Sequence, residues 1–248
     1  VSRYIIGCTW SEVPHLTESA KASLLAGIPA FQRDARTMGI PHLGSGLIYP
    51  LSATDITEPD FAIPDHWRRA YGLDVGWNWT AAIWGAWDDQ TETLHLYDCY
   101  KRGQVEPVVH SEAIRGRGIW IPGVNDPAAQ TANQVDGRRL FDVYKALGLN
   151  IVKADNAVTA GLLGVWNLLS SGKLKVFASL GPWFAEFGAY HRDERGNIVK
   201  SNDHLMDATR YLVLSGGIRA IVKPVEKPVE VLEYSYISAA GAQAWMGN

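Results

Sequence analysis

Asp74 lies inside Tyr71-Gly-Leu-Asp-Val-Gly-Trp77, an apolar run in which a carboxylate is costly to bury unless a cation or a donor compensates it. Asp126 ends the apolar run Ile119 to Val124 and precedes Pro127, which suits a strand terminus opening into a loop. Asp203 and Asp207 stand four apart in Asn202-Asp-His-Leu-Met-Asp-Ala-Thr-Arg-Tyr211, so both share one face of a helix, with His204 three residues from Asp207. Like charges at that spacing repel without a counter-ion. Carboxylates from an early strand, a later strand and a terminal helix can converge on hard divalent cations, which take oxygen ligands and activate water beside a phosphodiester. Helical geometry makes Asp207 the common member of such a set, because Asp203 and His204 diverge by about 100° around the axis. Which of those two joins Asp207 stays open.

Each residue also has a plainer reading. Asp74 beside glycine can be a turn or edge residue, Asp126-Pro127 a turn pair, Asp203 a helix cap, and His204 a surface or capping histidine. The ten tryptophans belong first to core and interfaces; Trp77 and Trp79, flanking Asn78 just after Asp74, are the best candidates for stacking on bases. Lys101-Arg102, Arg115-Gly-Arg117 and Arg138-Arg139 can form a phosphate-tracking stripe or simply a solvated face. Asp88-Asp89 reads as a turn and Asp155 as a strand end.

The elements that must position these residues follow from hydrophobic period. Ala70 to Trp77, Thr80 to Trp87 and Thr93 to Tyr100 read as three strands of an antiparallel meander. Val108 to Ile114 reads as a helix, Gly118 to Asn125 as a strand, Gly137 to Leu147 as a helix, Asn150 to Ala154 as a strand and Ala157 to Ser171 as an amphipathic helix. Lys173 to Ala178 is another short strand, Tyr190 to Ser201 a hairpin turning at Glu194-Arg195-Gly196-Asn197, and Asp203 to Leu214 a helix stopped by Gly216-Gly217. Alternation of this kind builds an α/β sheet flanked by helices. Before Pro64 the sequence shows little alternation, a helix from Thr17 to Ala26 behind a Thr cap, and a stretch rich in proline and glycine; residues 1–63 read as an arm or linker, 64–220 as the domain, and 221–248 as a Pro/Val/Glu-rich tail.

With 248 residues, 47% of them hydrophobic and 20% charged, the chain can bury a sizeable core, which excludes disorder. Its 23 basic and 26 acidic residues give a formal charge of -3, so any nucleic-acid site is a local patch. The two cysteines, Cys8 and Cys99, form neither a disulfide framework nor a metal knuckle, and no apolar run spans a membrane; a soluble, reducing compartment fits. The opening at Val1, without Met, reads as the start of an excised piece of a longer protein.

The segments Cys8-Thr-Trp-Ser-Glu-Val-Pro-His-Leu16, Arg33-Asp-Ala-Arg-Thr-Met-Gly-Ile-Pro41 and Gly44-Ser-Gly-Leu-Ile-Tyr-Pro50 resemble the stretch joining the ATPase and nuclease parts of tailed-bacteriophage large terminase subunits. Gly72-Leu-Asp74-Val-Gly76, Asn125-Asp126-Pro-Ala-Ala129 and Asn202-Asp203-His-Leu-Met-Asp207-Ala208 resemble that family's nuclease domain. The resemblance implies an RNase H-like fold, a mixed sheet with an antiparallel meander flanked by helices. It also implies an endonuclease dependent on Mg²⁺ or Mn²⁺ that cuts concatemeric viral DNA during packaging in the cytoplasm of a bacterial host. By position, Asp74, Asp126 and Asp207 are its catalytic metal ligands, with Asp203 and His204 in the same final motif. Lys101, Arg102, Arg115, Arg117 and Trp77 are the candidate DNA contacts. Two-metal logic has Asp74 bridge two ions when substrate is bound, one generating hydroxide and the other stabilising the leaving oxygen. Double-stranded DNA, the ATPase domain of the same subunit, the small terminase subunit and the portal are the implied partners, with no membrane. The P-loop of such motors is missing: Gly172-Lys173 is followed by Leu174 and lacks the upstream glycine spacing, so ATP-driven translocation resides elsewhere. Two rivals are an actin-like ATPase, whose first phosphate loop the Asp74-Val-Gly76 motif also resembles, and a non-catalytic docking module.

Overall fold

A computed structural model describes residues 9–10, 13, 15–26, 37, 46–126, 140–193 and 195–225. The meander forms from β2 (Arg68–Asp74), β3 (Thr80–Asp88) and β4 (Thr93–Arg102), paired antiparallel in sequence. Their apolar content buries the strands, and Asp88 closes the β3–β4 turn by accepting from the Gln90 amide at 3.0 Å and the Thr91 hydroxyl at 2.7 Å. On the free side of β2 lie β5 (Gly123–Asn125) and then β6 (Ile151–Lys153), both parallel. Beyond β4 lie β7 (Leu174–Phe177) and β1 (Thr57–Glu58), also parallel, so the order is β1-β7-β4-β3-β2-β5-β6. This is the mixed sheet the resemblance implies.

The helices are α1 (Glu18–Ala26), α2 (Ala53–Ile56), α3 (Pro107–Arg115), α4 (Leu140–Ala146), α5 (Val158–Ser170), α6 (Gly181–Ala189) and α7 (His204–Tyr211). The Thr17 hydroxyl accepts from the Ala20 amide at 3.3 Å, the cap expected for α1. Strand period two splits the core. Ala70, Ala81, Ile83, Leu94 and Leu174 face Val165 of α5, Trp183 of α6, and Leu205 and Ala208 of α7. Tyr71, Leu73, Ala82 and Trp84 face Ile114 of α3 and Tyr144 of α4. Asp74 shares the parity of Ala70 and therefore the α7 face. Among the described residues no helix is long and apolar enough to cross a membrane.

Several boundaries differ from the sequence reading. Tyr49 and Ile56 are buried in the main core and β1 pairs with β7, so residues before Pro64 already contribute to the packed sheet. The composition change at Pro64 marks where alternation starts rather than where packing starts. The strand expected from Gly118 begins only at Gly123, because Gly118 takes a φ of +137° and the Ile121 amide closes a turn on its carbonyl at 3.1 Å. The last helix does not stop at Gly216-Gly217. It runs from α7 through a π-helical turn at Leu212–Gly216 into α8 (Gly217–Arg219). A Cβ at Gly216 would stand 2.5 Å from Leu212 Cδ1, so that glycine serves close packing there rather than a left-handed stop. The expected hairpin reduces to an Arg192↔Ile198 bridge whose turn is tied by Asp193, accepting from the Arg195 and Asn197 amides at 2.9 and 2.8 Å. Glu194, Arg138-Arg139, most of the terminase-like arm and the tail beyond Val225 lie outside the described residues.

Candidate functional site

Strand register brings the first two carboxylates together. Leu73 pairs with Asn125 in the parallel β2–β5 ladder, and the Asp126 amide donates to the Leu73 carbonyl at 3.1 Å. The next pair along, Asp74 and Asp126, therefore leaves the carboxyl ends of neighbouring strands about 4.8 Å apart and on the same face. Glycine brings the third. A Cβ on Gly72 would collide with the Ala208 carbonyl, so its absence lets α7 lie directly on β2. His204 and Asp207 then hang over Asp74.

The pairing around them is specific. His204 Nδ1 stands 2.9 Å from Asp74 Oδ2. Asp207 accepts from Lys200 Nζ at 2.8 Å through Oδ2, and from Arg210 Nε and Nη2 at 3.3 and 3.1 Å through Oδ1. Lys200 Nζ also lies 3.1 Å from Asp203 Oδ2. The repulsion between Asp203 and Asp207 expected from the sequence is thus met by the Lys200 ammonium, which forms an ion pair with both, and by the Arg210 guanidinium on Asp207. Arg210, 2% exposed, is anchored by Asn156 Oδ1 at 3.0 Å and occupies space that a side chain on Gly161 would fill.

Burial pushes the Asp74 carboxyl above its ordinary range; the His204 hydrogen bond works against this, while the charges of Asp207 and Asp126 add to it. The bond to Asp74 raises His204 in turn, over the opposing effect of burial. Burial disfavours the Lys200 ammonium, yet Asp207 and Asp203 outweigh it and hold its proton more tightly than usual. A cleft of about 610 Å³ opens here, lined by Asp74, Lys200, Asp203, His204 and Asp207, with Trp77 and Trp79 at its lip. Among the described residues no three His, Cys, Asp or Glu side chains form a ready-made metal cage. Lys200, Arg210 and His204 stand instead against Oδ2 of Asp203, both oxygens of Asp207 and Oδ2 of Asp74. The donor chemistry itself fits a hard cation: carboxylate oxygens, one of them buried at a cost, at the end of β2, just beyond β5 and on α7.

The sequence reading missed Glu186. Asp203 occupies the N-cap position of α7 but makes no side-chain capping bond. The cap comes from Glu186, 3% exposed, whose Oε2 accepts from the Leu205 and Met206 amides at 2.6 and 3.4 Å and whose Oε1 accepts from Lys101 Nζ at 2.7 Å. A lone acid within Trp183-Phe-Ala-Glu-Phe187 carries the same signal as Asp74, a carboxylate in an apolar run. Lys200 and Arg210 carried no such signal.

The basic residues do not line up as one stripe. Lys101 is committed to Glu186 and packs 4.8 Å over the Trp79 ring. Arg117 clamps Asp98 at 2.6 Å and covers Trp84 at 4.7 Å. Arg102 is exposed and pairs with Thr80, at the sheet end that carries Asp74. Arg115 is exposed beside Gly148, just before β6, and so belongs to the opposite end. Trp77 is 63% exposed, its carbonyl pinned by the Gln104 amide at 3.0 Å.

Residues 72–215 match the family model for the terminase RNaseH-like domain. The chain is 30% identical over 239 residues to the large terminase subunit of Salmonella phage P22, covering 92% of this chain and 48% of that protein. It is 31% identical over 220 residues to the large terminase subunit of Enterobacteria phage LP7, covering 85% and 46%. It therefore spans about half the length of these relatives. The solved nuclease domain of the P22 large terminase superposes with a TM-score of 0.67 at 30% identity, covering 73% of this chain and 96% of that domain.

Proposed function

The chain belongs to the family of terminase RNase H-like domains, and from that membership we propose that its cleft is the centre of a DNA endonuclease dependent on Mg²⁺ or Mn²⁺. The observation that supports this reading is that Asp74 and Asp207 line one cleft, while the β2–β5 register brings Asp126, just beyond β5, to the same end of the sheet. Those three carboxylates would hold the cations, two of them when DNA is bound, with Asp203 and His204 at the margin. Once bound, the metal supplies Lewis acidity to a water and to the scissile phosphate. The protein supplies the geometry. Burial of Asp74 keeps one carboxylate dry and strongly attractive to a cation. Asp126, pinned through its own amide, holds the second at a set distance, and Arg210 fixes the rotamer of Asp207. His204 Nδ1 stands 2.9 Å from Asp74 Oδ2 and would have to leave that oxygen for a cation to take it. Arg102, exposed at the same sheet end, and Trp77, exposed at the cleft, would contact the DNA backbone, and such contacts carry no base information.

In this reading the domain cuts concatemeric viral DNA during packaging, working beside the ATPase part of the same subunit, the small subunit and the portal in a bacterial cytoplasm. Nicking of supercoiled plasmid with Mn²⁺, with and without EDTA, tests it on this chain and on the whole subunit containing it. Asp207→Asn, Asp74→Ala and Asp126→Ala should each abolish cleavage with the fold retained. An Asp207→Asn protein that cuts at the wild-type rate would overturn the assignment.

A further inference from the structure

We propose that Lys200 is a resident stand-in for the divalent cation, an ammonium that bridges Asp203 and Asp207 until metal displaces it and so sets the metal concentration at which the site loads. This rests on the metal-centre reading above. The two cations on Asp207 are built differently. Arg210 is 2% exposed and anchored to Asn156, and belongs to the scaffold. Lys200 is 60% exposed, while the carboxylates it bridges are 8% and 13% exposed, so the ammonium caps the pair from the solvent side. It comes from the segment preceding α7, not from a strand or helix. Asn202, at a φ of +51°, turns the chain between Lys200 and Asp203 so that the lysine side chain folds back over the start of the helix. Asn is among the few residues that adopt this conformation cheaply. A lysine is a compact, strongly hydrated point charge on a flexible stem, suited to leaving for water. Two neighbouring carboxylates demand positive charge in any state, and a dication answers that demand better than one ammonium. Lys200 acts on Asp203 and Asp207 as a competitor of the cation and touches no reacting atom.

Calorimetric titration with MnCl₂, paired with melting curves with and without Mn²⁺, tests this on wild type, Lys200→Met, Lys200→Arg and Asp207→Asn. Lys200→Met should bind Mn²⁺ at least about tenfold more tightly, equivalent to about 1.4 kcal/mol. It should also melt lower than wild type without metal and gain more on adding it. Lys200→Arg, which keeps the charge, should stay near wild type. A residue needed only for folding, or one that orients metal ligands, would give unchanged or weaker binding, and that result in Lys200→Met overturns the inference while leaving the metal centre intact. A neutral variant that folds only with Mn²⁺ supports the exchange, and one that Mn²⁺ does not rescue overturns it. If wild type fails to bind, or Asp207→Asn binds as wild type does, the metal-centre reading itself falls and this inference with it.

Discussion

Replacing Glu186 by Ala should cost about 3–5 kcal/mol, the range for stranding one partner of a buried ion pair. Its carboxylate is 3% exposed and serves two clients: the first amides of α7, Leu205 at 2.6 Å and Met206 at 3.4 Å, and the Lys101 ammonium at 2.7 Å. Losing the cap alone is worth about 1 kcal/mol. The larger part comes from Lys101, whose side chain is 15% exposed and would keep its charge with only the Trp79 ring beside it. Burial pushes the Glu186 carboxyl up while Lys101 and the amides hold it down, the balance of a carboxylate kept ionised by its partners. If that account holds, Lys101→Met in the Glu186→Ala background should restore part of the loss, because it removes the stranded charge. Urea unfolding of the two single variants and the double gives the coupling energy, read from midpoint shifts at constant m. A Glu186→Ala cost below about 1 kcal/mol, or a double variant destabilised by the full sum of the singles, would refute the reasoning.

The close approach of α7 to β2 predicts that Gly72→Ala destabilises by roughly 1–3 kcal/mol and weakens Mn²⁺ binding, since the new methyl meets the Ala208 carbonyl rather than a pliable side chain; calorimetry and melting on the variant check both. The Asp74–His204 pair predicts a pH dependence of the metal-free protein. Both groups are raised, so His204 contributes stability that is full below its ordinary 6.5 and is lost as pH climbs through its folded value, and Asp74 acts in the same direction from above 3.8. Urea midpoints should therefore fall more steeply above pH 6.5 for wild type than for His204→Gln, and parallel curves would remove the pair from the account. For DNA, Arg102→Ala should flatten the dependence of log affinity on log salt by about one phosphate contact, while Arg115→Ala leaves it unchanged. Filter binding across a salt series without metal distinguishes the two.

Local period carried much of this protein. The meander, the helices α5 and α7 and the acidic residues Asp74, Asp126, Asp203 and Asp207 stand out in the sequence because a strand repeats every two residues, a helix every three to four, and a carboxylate in an apolar run breaks the pattern visibly, whereas α6 (Gly181–Ala189) went unread. The three-residue strand β5 was over-extended for the same reason, since apolar residues in a turn carry no sign that they lack a ladder. Tertiary structure decided who answers each charge. Asp74 meets His204 across 130 residues and Lys101 meets Glu186 across 85, separations that no local repeat encodes. Lys200 and Arg210 read as ordinary basic residues until the fold set them on Asp207, and Lys101 and Arg117 read as surface charges until packing turned them inward. A run of sequence specifies which groups need a partner. Only the arrangement of β2, β5, α6 and α7 in space selects the partner, because Coulomb and hydrogen-bond energies fall off over a few ångströms and are indifferent to distance along the chain.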